Sequence, residues 1–460
     1  MNICILSNFT KTYLFHQVAQ ELAKGNIHTF WIATNRPLYQ FLKTEYGEDR
    51  VLLTNLDYSE KPSPIVKDFK LNELIYGDRY LRHKQAVGFQ YLRNIQQPIY
   101  DFIQAHNIKA MLGEVTWSHE VLIHRMCQQC PELDCRFLNP HVVRIPDNRF
   151  AFFTNERQSQ LLEVWQKNQW KNEVLEAKKP DYLKLNDKIV KKSSSLAGRL
   201  NRVKRFFTNE NMDPLDPTLL PNVKQRVQIA GRQEWNKETY KLVESISFEE
   251  VNTAPFVFLG LHKQPEASVD VFGRYYEDQL QNIKNLWRAL PEGWHLLVKE
   301  HTNAIGDRDV AFYRAIKQMP GVFLVDATTN SYEMIRQASL VATITGTIAY
   351  EAALMGVPSV TFAPTFFNRL NSCRQITLTD LDQFLLSDIA NELAAQPDNR
   401  ADFSAYIYSN SFEGRMIDPI SDQRSIEPNN VRLLAQGIQG AMEQLKAEHH
   451  QSQALDNHPV

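Results

Sequence analysis

Two long parts of the chain alternate short apolar runs with stretches whose apolar residues recur every three or four positions, the pattern of strands followed by amphipathic helices. In the first part, residues 3–7, 28–34, 51–54, 110–115 and 136–139 predict strands, and 13–24, 37–46, 80–106 and 119–129 predict helices. The alternation returns after Pro255, with strands predicted at 256–262, 295–301, 322–326, 340–345 and 359–363 and helices at 275–290, 307–318, 332–337 and 348–355. Strands this apolar, each followed by a helix, belong in parallel sheets covered on both faces. The expected fold class is therefore α/β, with two doubly wound Rossmann-like domains facing a central cleft. Residues 1–150 form the first, 151–232 a helical and basic connection, 233–425 the second, and 426–460 a C-terminal helix and tail.

The segment between the two halves changes the picture most. Residues 178–207 carry ten Lys or Arg against Asp181 and Asp187, with Leu196, Leu200, Val203 and Phe207 at helical spacing. Such a segment suits either a solvated linker helix or a peripheral contact with an anionic membrane surface. Over the whole chain 51 basic residues balance 53 acidic ones, so net charge makes no case for nucleic acid as a partner. The N-terminus has no basic stretch and only a four-residue apolar run before Ser7, and is expected to be a first strand rather than a leader. Residues 338–364 hold a single charge, Glu351, but Gly346, Gly356 and Pro358 divide them into short elements rather than a membrane span. Five cysteines, an odd number, fit a reducing cytoplasm. Cys127 and Cys130 form a C-x-x-C with Cys135 nearby, yet no second pair completes a zinc site, so no metal is expected. A last helix is expected near 430–447, followed by a tail without apolar periodicity, expected to be disordered.

In doubly wound folds ligands sit beyond the carboxyl ends of the strands, which singles out the polar residues found there. Leu340–Pro364 joins a strand to Thr345-Gly346-Thr347, a helix and a second strand. A glycine there permits a tight turn, and the start of the helix favours an anion. Glu351 lies four residues beyond Thr347, on the same helical face, where it can accept from ribose hydroxyls. Lys299, Glu300 and His301 end another strand: the Lys and His suit phosphate, with Glu300 on ring hydroxyls or orienting the imidazole. His262-Lys263-Gln264-Pro265-Glu266 follows a third, and Asn330-Ser331 marks a helix start near the same crevice. In the first half, Ser7-Asn8-Phe9-Thr10 and Gly113-Glu114 follow strands. Glu114 reads either as a carboxylate for sugar transfer, taking a hydroxyl proton or attacking an anomeric carbon, or as a structural cap or ion pair. Glu266 is the second candidate for that chemistry.

Together HKQPE, KEH and TGT-x-x-x-E, in that order, with GEVTWSHE and RIPDNRFAFF in the first half, resemble the bacterial capsule and surface polysaccharide biosynthesis proteins. These are glycosyltransferases of the GT-B fold that include transferases of Kdo from CMP-Kdo. The resemblance spans most of residues 1–370. It implies a second domain that binds the nucleotide sugar through Lys299, His301, Ser331, Thr345, Gly346, Thr347 and Glu351, to which their places at strand ends add His262, Gln264 and Glu300 as donor-binding candidates. It also implies a first domain that binds a glycan or glycolipid acceptor near Asn8, Arg144 and Arg149. The family commonly has His-Pro where this chain has His301-Thr302, and no D-x-D is found that suits a metal-diphosphate site, since Asp307-Arg308-Asp309 falls at a predicted helix start. No cofactor is implied beyond the donor, and the expected location is the cytoplasm, at the inner face of the membrane. A nucleotide-sugar epimerase of the same fold and a non-catalytic capsule assembly partner are the rival readings.

Overall fold

The computed structural model describes residues 1–166, 173–178, 213–219, 223–251 and 254–456, with side chains to His449. All but the first residue of the basic 178–207 segment therefore lies outside the described residues.

The first sheet is built from β1 (Asn2–Leu6), β2 (His28–Ala33), β3 (Val51–Leu53), β4 (Ile108–Leu112), β5 (Arg136–Val142) and β6 (Arg149–Phe153). The second contains β7 (Phe256–Gly260), β8 (His295–Lys299), β9 (Val322–Val325), β10 (Leu340–Thr343), β11 (Ser359–Thr361) and β12 (Cys373–Gln375). A short β13 (Phe412–Glu413) returns to the first sheet and pairs antiparallel with β6. The sheet orders are β13-β6-β5-β4-β1-β2-β3 and β12-β11-β10-β7-β8-β9. In each, the chain runs outward one way from its first strand and then jumps to that strand's other side. This gives topological switch points between β1 and β4 and between β7 and β10, where open α/β sheets bind ligands. The expected α/β, GT-B-like pair of doubly wound domains across a cleft is the architecture found.

Both faces of each sheet are covered, which explains the continuous apolar strands. Ile3 and Ile5 face one cluster, with Trp31 and the helix Lys11–Lys24, while Cys4 and Leu6 face another, with Tyr91, Leu92 and Met126. The helix Pro428–Asp456 places Leu434, Ile438 and Met442 in the first of these clusters, so this helix packs on the first domain rather than the second. This helix runs nine residues past the expected end at 447.

The two halves are joined at two apolar contacts on the borders of the cleft. Val143, Ile145 and Phe153 pack with Ala349, Tyr350, Phe366 and Phe403, and the Tyr350 hydroxyl donates to the Ile145 carbonyl. On the other border a helical turn of the second half, Ser268–Phe272, inserts Val271 and Phe272 into the first domain's core. Arg274 follows, buried beside Glu73 and Glu156, which also hold Arg125. These two arginines and two carboxylates form a closed square of charge linking the halves.

The expected helix over 80–106 is divided in two, Gln85–Asn94 and Gln96–Ala105. Its first residues form a turn instead, because the buried Asp78 carboxylate accepts from the N–H groups of Tyr80 and Leu81. Competition of this kind between a short acidic side chain and the helix ladder leaves no trace in apolar periodicity. Strands β6 and β12 were also not expected, nor were the helices Val223–Tyr240, Leu378–Gln383, Leu386–Ala394 and Arg400–Ser409.

Candidate active site

The two switch points face each other across a cleft of about 580 Å³ lined from both domains. On the second domain's side, β10 runs into the Thr345-Gly346-Thr347 turn and the helix Thr347–Leu354. Gly346 is the N-cap with φ −69° and ψ 145°, a conformation open to any residue. The tight turn that a glycine was expected to permit thus makes no call on its special dihedrals; what the position asks for is space. A Cβ at 346 would lie 2.5 Å from Thr343 Oγ1 and 3.2 Å from the His262 ring. Having no side chain, this N-cap supplies no side-chain acceptor; its carbonyl takes the Ala349 N–H at 3.2 Å, and the N–H groups of Thr347 and Ile348 have no partner within the helix.

His262 is an organiser of this turn. Its Nε2 accepts the Ile344 N–H at 3.3 Å and lies 2.7 Å from Thr343 Oγ1, which itself accepts the Gly346 N–H. The hydroxyl proton is therefore directed to Nε2. Burial, reinforced by the charges of His301, Arg308 and Arg144, pushes the His262 pKa down to about 3, so the ring is a neutral acceptor. Thr345 is tied by its hydroxyl to the Ser268 carbonyl at 2.8 Å, which connects the turn to the segment docked in the first domain.

Lys299, at the end of β8, donates to Ser331 Oγ at 3.0 Å, and both line the cleft. His301 is exposed beside them, and its Nδ1 accepts the Asn303 N–H at 3.1 Å. That bond assigns the ring proton to Nε2, the nitrogen left to donate to a ligand. Glu300 is fully buried and grips Arg308 through both oxygens, with Tyr313 donating at 2.7 Å. Its carboxylate therefore fixes the β8 loop instead of reaching ring hydroxyls. Gln264 bonds Asp270 and Gln279, and Glu351 accepts from the Tyr332 hydroxyl at 3.0 Å; neither lines the cleft. Glu266 is exposed on the rim and accepts from Ser268 Oγ.

On the facing wall, β1 delivers Asn8 and β4 delivers Glu114, one on each side of the switch point. Asn8 Nδ2 donates to Glu114 Oε2 at 2.9 Å, and Lys11 donates to Oε1. The Lys11 side chain is 7% exposed and that of Glu114 20%. Burial alone would raise the Glu114 pKa, but Lys11, with His141 and Arg79, outweighs it and leaves the carboxyl below its usual range. His141 is pushed down to about 4, mainly by burial. Six residues along, Glu120 accepts from both the N–H and hydroxyl of Thr116 and from the Trp117 N–H, all through Oε2. Burial, with the neighbouring Glu114 charge, raises its pKa to about 8. Of the two nearby carboxyls, Glu114 is ionised at neutral pH and Glu120 is protonated.

Arg144, in the left-handed region at φ 69°, reaches from the first domain to Thr347 Oγ1 at 3.4 Å. A cation stands here at a helix N-terminus, an arrangement that repels until an anion comes between them. Arg149 does not join it. As the first residue of β6 it is buried, its guanidinium donating to Ser411 Oγ and to the carbonyls of Ser411 and Tyr408. The cleft also holds residues that sequence reasoning missed: Lys11, Arg79, Thr116, His141 and the returning segment at Met416 and Asp418, while Lys263 of the singled-out run after β7 lines it as well. Asp418 accepts the Thr10 hydroxyl through both oxygens. Lys11 was legible in principle, five residues past the end of β1 and directly after the Ser7-Asn8-Phe9-Thr10 loop that was singled out.

Among the described residues no helix is long and apolar enough to cross a membrane. No family model matches the sequence, and no curated protein matches it. Among solved structures the chain is similar to the β-Kdo 2,4-transferase KpsC of Thermosulfurimonas dismutans (11% identity over 63% of this chain and 79% of that one, TM-score 0.33). It is also similar to the calicheamicin glycosyltransferase CalG4 (14% identity, 96% and 98% covered, TM-score 0.27). A third is the UDP-GlcNAc 2-epimerase of Methanocaldococcus jannaschii, in complex with UDP-GlcNAc and UDP (13% identity, 87% and 94% covered, TM-score 0.28). At scores this low the likenesses assign no activity to the chain.

Proposed function

We propose that this chain is a glycosyltransferase that takes a sugar from a nucleotide donor held by the second domain and passes it to a hydroxyl held by the first. The observation that carries this reading is the confrontation across one cleft of an anion site and an ionised carboxylate. The anion site is the uncapped start of the helix Thr347–Leu354 with Lys299, His301 and Arg144, and the carboxylate is Glu114. An anion between the helix start and Arg144 turns their repulsion into two attractions, and first-turn N–H groups suit phosphate oxygens. Charge growing on the leaving phosphate would be met by dipoles and cations already in place. In this scheme Glu114 removes the acceptor hydroxyl's proton as its oxygen bonds to the anomeric carbon, and the nucleotide leaves with the electron pair of the broken C–O bond. Direct attack by the Glu114 carboxylate on the anomeric carbon is the alternative step. Lys11 and Asn8 aim the carboxylate in either case.

The motif resemblance carries the finer reading, assembly of a bacterial capsule or surface polysaccharide with an acidic sugar such as Kdo as donor. Calorimetry with CMP, UDP and GDP tests the donor site: binding of one of them, weakened by His301→Ala, is expected. Failure of all three to bind removes the reading. Incubating the matching nucleotide sugar without acceptor separates transfer from the epimerase alternative, which alone would change or release the sugar rapidly under those conditions.

A further inference from the structure

Arg79 lines the first domain's wall of the cleft, yet among the described residues no hydrogen bond or ion pair engages it, and its Nε is buried without a partner. Three other cations of the cleft are occupied, Lys11 with Glu114, Lys299 with Ser331 and Arg144 with Thr347, and Lys263 stands exposed on its border. The Arg79 guanidinium is held instead by an aromatic plane. It lies 5.3 Å from the Trp117 ring centre, Trp117 stacks on Tyr80 at 5.7 Å, and the Phe9 ring lies tilted to Trp117 at 6.1 Å. Stacking of this kind orients a guanidinium without neutralising it.

Each carboxylate that might have answered the charge is engaged elsewhere. Asp78, the preceding residue, accepts from the N–H groups of Tyr80 and Leu81 through one oxygen and from the N–H and hydroxyl of Ser118 through the other. Glu114 is shared by Lys11 and Asn8, and Glu120 spends one oxygen on Thr116 and Trp117 and is protonated at neutral pH. A partly desolvated guanidinium in this condition is matched by the paired oxygens of a carboxylate or phosphate.

We propose that Arg79, laid on Trp117, is the specificity-determining contact for an anionic group, carboxylate or phosphate, on the pyranoside acceptor that offers its hydroxyl to Glu114. This rests on the transferase reading of the cleft. It is tested with the full-length protein by saturation-transfer NMR titrations of methyl glucoside, methyl glucuronide and methyl glucoside 6-phosphate, with nucleotide binding measured in parallel. The wild type should prefer a charged probe to the neutral one by about tenfold, and Arg79→Gln should abolish the preference while nucleotide affinity stays the same. The tighter of the two charged probes identifies the anion. Should Arg79→Gln not fold, Arg79→Lys, which keeps the charge but loses the planar fork, should reduce the preference severalfold. Equal affinities for the three sugars, a preference that survives both substitutions, or no binding of any sugar would each overturn the proposal. A wild type that binds no nucleotide but shows an Arg79-dependent sugar preference would sink the donor assignment and leave this contact standing.

Discussion

Removing Lys11 tests the catalytic wall more sharply than removing Glu114 itself. Lys11→Met deletes the largest influence holding Glu114 ionised and leaves its carboxylate facing Asn8 and the cleft. Breaking a buried ion pair from one side costs about 3–5 kcal/mol. Glu114 is 20% exposed and water reaches it from the cleft, so about 3 kcal/mol is expected here. Denaturant unfolding measures that cost for Lys11→Met, Glu114→Gln and the double variant. The double loss should fall well short of the sum, because no charge is then left unpaired. The pH dependence separates chemistry from stability. A carboxyl with a depressed native pKa contributes stability above its unfolded pKa and loses it as pH falls through the native one; Lys11→Met abolishes the depression, and burial then raises the pKa. The acid limb of transfer should therefore move to higher pH in Lys11→Met, with activity recovered as pH rises, whereas Glu114→Gln should lose about 100-fold or more at every pH while still binding nucleotide. An unmoved acid limb, or near-normal transfer by Glu114→Gln, refutes the assignment and shifts the role to Glu266.

Three further outcomes are expected. Gly346→Ala places a Cβ 2.5 Å from Thr343 Oγ1 and should weaken nucleotide binding, at an overpacking cost of about 1–3 kcal/mol read by calorimetry and melting temperature. Between about pH 4.5 and 8 the unfolded chain releases the Glu120 proton while the native state keeps it, so stability falls as pH rises. The slope reaches about 1.4 kcal/mol per unit at most, and Glu120→Gln should flatten it in denaturant titrations across that window. Arg274→Met opens the charge square between the halves; since Arg125 still serves both carboxylates, a loss of about 2 kcal/mol is expected. A wider domain angle in small-angle scattering should accompany it, and an unchanged profile would show that apolar docking alone holds the halves.

Strand order follows from rules the sequence obeys: apolar runs alternating with amphipathic stretches demand covered parallel sheets, and those place strand ends at a switch point. Asn8, Glu114, Lys299, His301 and Thr345–Thr347 were therefore within reach of sequence reasoning, since each ends a strand or lies just beyond one. What the sequence concealed was which polar side chain faces the cleft and which is spent inside. His262, Glu300 and Gln264 sit beside the proposed ligand-binding residues and resemble them in type, yet each is consumed by a partner 15 to 81 positions away or, for Glu300, by Arg308 and Tyr313 on the loop and helix that follow β8. Arg144 and Arg149 were alike as letters. A left-handed backbone turns the first toward Thr347, and the start of β6 sends the second into Ser411.

The same distinction explains why the segment after β7 matters beyond its own residues. The HKQPE run reads as a ligand loop, but its continuation at Ser268–Phe272 is the piece of the second domain embedded in the core of the first. Thr345 is bonded to the Ser268 carbonyl, and Asp270 pairs with Arg82 of the first domain at 3.3 Å. An anion that orders the Thr345-Gly346-Thr347 turn therefore acts on a segment whose other end is fixed to the catalytic wall. On the proposed reading, donor occupancy and the spacing between the turn and Glu114 would be mechanically joined, because a packed core transmits a displacement instead of absorbing it. On the proposed transferase reading, two domains held in this way would fix the distance between the phosphate site and the Glu114 carboxylate before any substrate arrives, which is the condition for catalysis by prearranged charge.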